Sequence, residues 1–583
     1  MQLESLSNEV FHDLFEFLDP IQLIHAFEGL NTRFDQLLFI YFRSYRLDFR
    51  SISKLNFHLM CEQYLPLIID HISSLCLSDD DETPQLSEHL IPYNLTLDEF
   101  THLKSLLLQK IHSSDIILNI ITDCSYLSYL THLKIIECHY THDKNSKQLI
   151  SNIWRLIKLT HCTLDIIFEY GLTFVGLSII STSIKYLSIK NFIFSSIELN
   201  HLLKSTPYLQ YLCITFFGES TNIELHRIHS VPLITNLKLH FNGSLNSLIN
   251  ILQSMPNLLY LTIETGTINL NGNQWKKILI DYIPKIKKFR FLMKILLFKH
   301  HNIEEQLEDF LNTFQTSFWL DEHQWFVRLD WPKHANKVFV IYTLPYCFND
   351  TYVIYQNRWS KTTCPNVHDY NSYDRVTNVF YKGHIDNLIV FPVHYPNIRR
   401  LTLRLPFDNH FWSIIPTLDR LISLEVIETR ENSRSESQLK DLLNRAPRLD
   451  FLSVDAMSFL LLAQSNITHD SLRRIQLKHY RTKTNRYMNV TQCSILADSL
   501  LGRQCEVLII RIENRTIILD LINKMYNLRV LNCECQDDNW TNNSLLCSKD
   551  ELVEWLRNSL PETYFISRYR SRLVRLWINR KIK

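Results

Sequence analysis

The sequence predicts an α/β protein: a short all-helical segment, then a long array in which one short strand and one helix alternate. Three observations carry this expectation. Residues 3 to 43 hold apolar side chains at helical spacing, punctuated by Asp19-Pro20 and by Thr32 with Asp35 three residues on. From Leu103 the pattern apolar-x-x-apolar-x-apolar returns at Leu130, Leu159, Ile184, Leu209, Ile234, Leu258 and Ile286, and again at Ile398, Leu421, Leu449, Leu472, Val507 and Leu528. A chain of 583 residues, 46% hydrophobic and 21% charged, is too long for one ordinary domain and too apolar for disorder.

The helical segment comes first. Ser7 and Asn8 suit the cap of helix one, whose apolar positions Val10, Leu14, Phe17 and Leu18 share a face. Phe11 and Phe15 make a second stripe, more apolar surface than three short helices hide alone. Asp19 as N-cap with Pro20 at the first helical position starts helix two, faced by Leu23, Ile24 and Phe27. Thr32 with Asp35 reads as a capping-box-like start for helix three, which carries Phe34, Leu37, Leu38 and Phe42.

The string LESLSNEVFHDLFEFLDPIQLIHAFEGLNTRFDQLL resembles the F-box, through Leu6, Glu9, Val10, Leu14, Leu18, Asp19, Pro20, Leu23, Arg33, Phe34 and Leu37. Ser7 stands where that family usually has Pro, which removes a rigid first turn but supplies a capping hydroxyl. The resemblance implies that these helices bind the small adaptor subunit of an SCF-type ubiquitin ligase, and through it a cullin. The adaptor-binding residues it implies are Leu3, Leu6, Val10, Leu14, Phe17, Leu18, Pro20, Leu23, Ile24, Phe27, Leu30 and Phe34. The same residues also fit a helical cap that seals the end of the following array.

In the body, His201–Ile214, Asn250–Ile263 and Asp441–Val454 align: a helix end, a Pro that stops it, then the apolar pattern. This resembles a degenerate leucine-rich repeat, which implies a solenoid with parallel strands on the concave side and helices on the convex side. The Asn or Cys expected after each strand is present only occasionally (Asn242, Cys138), so an incomplete turn ladder is expected. Residues 292 to 397 break the period and are rich in aromatics, among them Phe318, Trp319, Trp325, Phe326, Trp331, Phe339, Tyr342, Tyr346, Phe348, Tyr355 and Trp359. Their strand-like runs KVFVIYTL, VTNVFYK and DNLIVF suggest added β-structure, with the rings packing a core rather than forming a platform. Ser548 with Glu551 reads as a capping box for a closing helix carrying Leu552, Trp555 and Leu556. The tail RYRSRLVRLWINRKIK reads as solvated and basic with an amphipathic docking face. The resulting division is 1–48 F-box, 49–99 linker and first helical segment, 100–291 first repeat run, 292–397 irregular repeats or insert, 398–545 second run, and 546–583 closing helix and tail.

Composition narrows the function. Nine scattered Gly provide no phosphate-cradling loop, and there is no H-E-x-x-H, G-x-S-x-G or finger-type Cys/His spacing. No catalytic residue, metal site or cofactor is expected. Cys138, His139 and His142, and Cys533 with Cys535, come nearest to metal ligands, but thiols on repeat strands suit packing. Asp79 to Glu82 read as a solvated loop. Thirteen Cys without a C-x-x-C pair, acids at the N-terminus and no long apolar run favour a reducing compartment, cytoplasmic or nuclear, with no membrane partner. Lys and Arg total 61 against 60 Asp and Glu, which gives no global field toward nucleic acid.

Alternate strand positions should face the concave side. They include Asn236, Lys238, His240, Tyr260, Thr262, Lys288, Arg290, Arg400, Thr402, Arg404, Arg474, Gln476, Lys478 and Arg511. Of these, Lys238, Lys288, Arg290, Arg400, Arg404, Arg474 and Lys478 are the candidate contacts for an acidic or phosphorylated target segment; plain solubility explains them as well. The function expected is a non-catalytic substrate receptor of an SCF-type ligase. The competitors are a ligase-independent binding scaffold and, further off, a nucleic-acid binder.

Overall fold

The computed structural model describes residues 3–15, 17–18, 20–27, 29–43, 46–90, 93, 96–141, 146–218, 228–296, 303–332, 338–348, 351–354, 358–366, 373–381, 393–408, 411–429, 433–464, 467–478, 487–538, 540, 550–569 and 572–579. The chain divides into two compact units, Met1–Ile263 with Lys277–Phe289, and Glu264–Lys276 with Arg290–Lys583. Both are mixed α/β with long runs of parallel strands, as a leucine-rich-repeat-like array requires.

The first unit begins with α1 (Asn8–Phe15), α2 (Pro20–Phe27) and α3 (Thr32–Arg43). Asn31, rather than Thr32, caps α3: its Oδ1 accepts from the amides of Arg33 (3.0 Å) and Phe34 (3.1 Å). Asp35 instead accepts from the Gly29 amide at 2.8 Å. Asp19 lies outside the described residues.

Nine strands follow: β1 (Arg46–Asp48), β2 (Ser74–Ser78), β3 (Ser105–Gln109), β4 (His132–Tyr140), β5 (His161–Phe168), β6 (Tyr186–Phe194), β7 (Tyr211–Phe217), β8 (Asn236–Asn242) and β9 (Tyr260–Thr265). They lie in sequence order in the sheet, and the pairs from β1 to β8 are parallel. Strands β3 to β9 start two residues after the pattern positions Leu103 to Leu258, whose side chains are all buried. Two strands were not foreseen. The second carries the same pattern in Ile72-Ser-Ser-Leu-Cys-Leu, inside what reads as a linker.

A regular hydrogen-bond device marks each repeat. The amides of Thr131 and His132 both donate to the Lys104 carbonyl, those of Thr160 and His161 to Thr131, and those of Lys185 and Tyr186 to Thr160. The series continues through Gln210 and Tyr211 to Lys185, and Thr235 and Asn236 to Gln210. One carbonyl with two lone pairs satisfies two amides, so strand starts are pinned without an Asn ladder. Between strands, Ser113, Ser195 and Ser244 cap helices Ser114–Asp123, Ser196–Ser205 and Leu245–Gln253. Each helix buries one stripe, such as Leu248, Ile251 and Leu252, against one face of the sheet. A fully buried Leu or Ile stabilises by about 1.5–3 kcal/mol. The other sheet face stays open.

The acidic run after β2 is a built turn and not a solvated loop. Asp79 is buried and accepts from Ser87 N (2.8 Å) and Ser87 Oγ (2.6 Å), while Asp80 accepts from the amides of Glu82 (2.9 Å) and Thr83 (3.1 Å). Nearby, burial and then the charge of Lys54 push His89 down to about 4. The unfolded chain therefore binds a proton at His89 that the folded chain refuses. The stability this provides is complete above about pH 6.5 and falls as pH drops from there toward 4, by roughly 3 kcal/mol. His89→Gln should flatten the loss of thermal midpoint between pH 7 and 5.

The second unit carries β10 (Lys288–Leu296) from Arg290 onward, β11 (Val327–Pro332), β12 (Val338–Thr343), β13 (Thr351–Ile354) and β14 (Arg358–Thr362). β12 is antiparallel to β10 and β11, and β11 is antiparallel to β14, so the period does break here. The run KVFVIYTL becomes β12; DNLIVF lies outside the described residues, as do Tyr355 and the side chain of Trp359. Phe318, Trp319, Trp325, Trp331, Phe339, Tyr342, Tyr346 and Phe348 are buried and Phe326 is partly so, which makes this a core and not a platform. Within it Tyr342 donates to Asp330 (2.8 Å) and shares a hydrogen bond with Tyr373 (2.6 Å), which Arg328 also contacts (3.2 Å).

Then come β15 (Asn378–Tyr381), β16 (Arg400–Leu405), β17 (Ser423–Thr429), β18 (Phe451–Asp455), β19 (Arg474–Lys478), β20 (Val507–Ile512) and β21 (Val530–Cys535). They are parallel in sequence order, with β13 beside β15. The repeat expected from Val507 is shifted by two: Arg474 pairs with Val507, so buried Cys505 fills the place Leu472 and Leu528 hold elsewhere. Its burial pushes the thiol up to about 12.

The C-terminus differs from expectation. Ser548 lies outside the described residues, and Asp550 caps helix Glu551–Ser559 by accepting from the Val553 amide at 3.1 Å. The supposed solvated tail is a hairpin, β22 (Phe565–Tyr569) and β23 (Leu573–Trp577), with β23 antiparallel to β21. Arg575 is buried and Arg568 lies between Asp538 and Asp550. Arg570, Arg580, Lys581 and Lys583 lie outside the described residues. Alternation and the pull of paired strands explain the outcome: Leu573, Val574 and Leu576 pack better in a sheet than in water.

Candidate functional site

The N-terminal helices are held by an aromatic core. Phe11 and Phe15 of α1 are fully buried, with Phe11–Phe34 at 5.0 Å, Phe15–Phe27 at 5.1 Å and Phe27–Phe34 at 5.4 Å between ring centres. The sequence-based assignment of stripes is thus inverted. Phe11 and Phe15 form the core, and the surplus surface is Val10, Leu14 and Phe17, exposed to 40%, 39% and 84%. Of the other residues named for the adaptor, Leu30 is exposed, Leu6 and Leu18 are half-buried, and Leu23, Phe27 and Phe34 are core side chains. The side chains of Leu3, Pro20, Ile24 and Phe42 lie outside the described residues.

Arg33 and Phe34, the basic-aromatic pair, have distinct roles. Phe34 fills the core, while Arg33 donates to the carbonyls of Glu4 and Leu6 (2.6 Å each) and to Asn8 Oδ1 (2.8 and 3.1 Å). It thereby ties the segment before α1 to α3. Ser7 accepts the Phe11 amide on its carbonyl (3.3 Å), and its hydroxyl beside Glu9 holds that carboxyl below its usual range. Arg33→Ala should cost about 2 kcal/mol locally, because hydrogen bonds to a charged group are lost. Arg33→Lys should recover less than half of this, since an ammonium lacks the planar fork. Hydrogen exchange at the α1 amides measures both.

The basic strand residues split. In the second unit Arg474 pairs with Asp450 (2.6 Å), Lys478 with Glu425, and Arg511 with Glu534 (2.8 Å). Arg474 and Lys478 therefore already have counter-charges, which the strand pattern did not reveal because Asp450 and Glu425 come from other repeats. Arg404 is exposed on β16. Arg290 and Arg400, and in the first unit Lys238 and Lys288, have no acid partner among the described residues.

The open face of the first unit also carries a row that sequence reasoning missed. His132, His161, Tyr186 and Tyr211 occupy equivalent registers on β4 to β7. The first three rings stack, His132–His161 at 4.2 Å and His161–Tyr186 at 4.2 Å, and Tyr211 lies tilted beside Tyr186 at 6.2 Å. Burial lowers the pKa of both His, assisted by Lys134 at His132 and by His132 and Lys134 at His161. The signal was available: each residue directly precedes the second apolar position of its repeat. Cys138, like Cys533 and Cys535, is buried; its thiol donates to the carbonyls of Leu108 and Ile136 and is pushed up to about 12 by burial, while His142 lies outside the described residues.

Among known proteins, no protein-family model and no curated sequence matches this chain. One matching solved structure is internalin C2 of Listeria monocytogenes, 16% identical over 39% of this chain and 83% of that one, with a TM-score of 0.23. A likeness that weak carries no argument. The class of protein is set by the chain's own sheets: a mixed α/β repeat protein of leucine-rich-repeat-like architecture, with one open sheet face in its first unit. Among the described residues no helix is long and apolar enough to cross a membrane.

Proposed function

We propose that this chain is the substrate-recognition subunit of an SCF-type ubiquitin ligase. Its N-terminal helices hold the adaptor and through it the cullin, while its repeats hold a target protein. The observation that carries this reading is the stripe Val10, Leu14 and Phe17. These helices already have an aromatic core, yet they present an apolar patch to solvent, Val10 and Leu14 on α1 and Phe17 just beyond it. Surface of that kind favours a partner. The F-box-like pattern from Leu3 to Leu38 supports the SCF adaptor as that partner.

In this reading the chain supplies proximity and orientation and needs no cofactor or catalytic group of its own. The described cysteines, all free thiols, suit the reducing cytoplasm or nucleus in which ubiquitin ligases act. The test is purification of the full chain from cells, followed by measurement of adaptor and cullin in the complex. Both should be recovered in stoichiometric amounts; recovery of other proteins with neither subunit would make the chain a ligase-independent scaffold.

A further inference from the structure

We propose, on the premise that the repeats hold a target, that the open face of the first unit takes an extended acidic segment of that target protein, its carboxylates seated on Lys134 and Lys238. The two lysines stand in one register row, Lys134–Thr163–Ser188–Cys213–Lys238, across β4 to β8. The three positions between them carry small uncharged side chains. One pleat away, the ring row of His132, His161, Tyr186 and Tyr211 borders this one on one side. The row is therefore a strip of small side chains with a cation at each end and rings along one side.

Charge decides the occupant. On this face Lys190 is already paired with Asp165 (3.6 Å), but Lys134 and Lys238 have no acid partner among the described residues. In the second unit Arg474, Lys478 and Arg511 are each neutralised within the chain, although Arg290 and Arg400 have no acid partner among the described residues. Four strand spacings of about 4.8 Å place the lysines roughly 19 Å apart. An extended chain covers that in about six residues at ~3.3 Å each. The segment thus has acidic residues about six apart. A single-stranded nucleic acid fits less well: base stacking needs a free ring face, and both faces of His161 are covered, by His132 and by Tyr186, which also loses one of its own.

The test uses the full chain and fluorescence anisotropy. The probe is a labelled synthetic peptide with Glu-Glu pairs six residues apart, joined by Ser and Tyr; the comparison probes are its Glu→Gln version and a single-stranded oligonucleotide of similar length. The Glu peptide should bind and the Gln peptide should not. Lys134→Glu with Lys238→Glu should weaken the Glu peptide about tenfold or more, and the milder Lys134→Gln with Lys238→Gln should do so less. Arg400→Glu with Arg404→Glu should leave it unchanged. Absence of binding, equal loss in the Arg400 and Arg404 variant, or tighter binding of the oligonucleotide overturns the proposal. Adaptor binding is measured on the same proteins. Peptide binding without adaptor binding would leave this inference standing and remove the ligase reading, while the reverse would remove only this inference.

Discussion

Replacing Val10, Leu14 and Phe17 together by Asp is expected to abolish adaptor capture while leaving the stability of the chain almost unchanged. The three side chains are exposed to 40%, 39% and 84%, so each substitution in the free chain costs no more than about 0.5 kcal/mol. In an apolar interface the same carboxylates lose water without gaining partners, and the anchors they replace are each worth about 2 kcal/mol or more. The combined loss exceeds a thousandfold in affinity. Phe11→Ala and Phe15→Ala are the matched controls: each removes a fully buried ring and should cost about 3–5 kcal/mol, unfolding the helices themselves. Binding then falls together with helix content, whereas the surface triple variant separates the two. Circular dichroism and adaptor affinity, measured on the same samples, check this.

Arg568→Ala should be among the most damaging single changes outside the N-terminal helices. Arg568 donates from Nε and Nη2 to Asp550 (2.7 and 2.6 Å) and also contacts Asp538, with all three side chains largely buried. Removing the cation strands two buried carboxylates, at a cost of about 3–5 kcal/mol. Because Asp550 also caps helix Glu551–Ser559, that helix and the hairpin β22–β23 should open together. Burial alone would raise the Asp550 carboxyl, but Arg568 and the Val553 amide outweigh it and hold it below the usual range. A depressed carboxylate stabilises above its unfolded pKa, near 4, and that contribution disappears as pH falls further. Hydrogen exchange over residues 551–577 should show early opening in the variant at neutral pH, and in the parent only in acid.

What the sequence revealed depended on how strictly each element's physics constrains residue type. The strand of each repeat needs buried apolar positions at fixed spacing, so Leu103 to Ile286 located β3 to β10 with a constant two-residue offset. The rule failed where a small residue replaces Leu. Cys505 fills that position with little volume, so the pattern alone points to Val507 as the start instead. Ile72 was missed although it obeys the rule, because an isolated match before the first regular step has no period to support it. In α1 two apolar stripes compete for one core. Only packing decides that Phe11 and Phe15 win, since three aromatic partners, Phe27, Phe34 and Tyr41, surround them.

Charge was the least legible feature. Lys and Arg on strands were visible residue by residue, but whether each meets an acid depends on a neighbouring repeat some 25 residues away, as with Arg474 and Asp450. The same holds for the tail, whose arginines read as solvent-facing until Asp538 and Asp550 are placed beside Arg568. The ring row His132–His161–Tyr186–Tyr211 was legible in principle, at one fixed position per repeat, once the repeats are aligned by strand register.

The central claim is that the N-terminal helices recruit the SCF adaptor, and calorimetric titration of the purified full chain with that adaptor tests it most directly. The account predicts one site with a dissociation constant below about 1 μM, equivalent to some 8 kcal/mol, and no binding by the Val10, Leu14 and Phe17 triple variant. An absence of binding by a chain whose α1 to α3 are folded, or binding that the triple variant leaves intact, would contradict it.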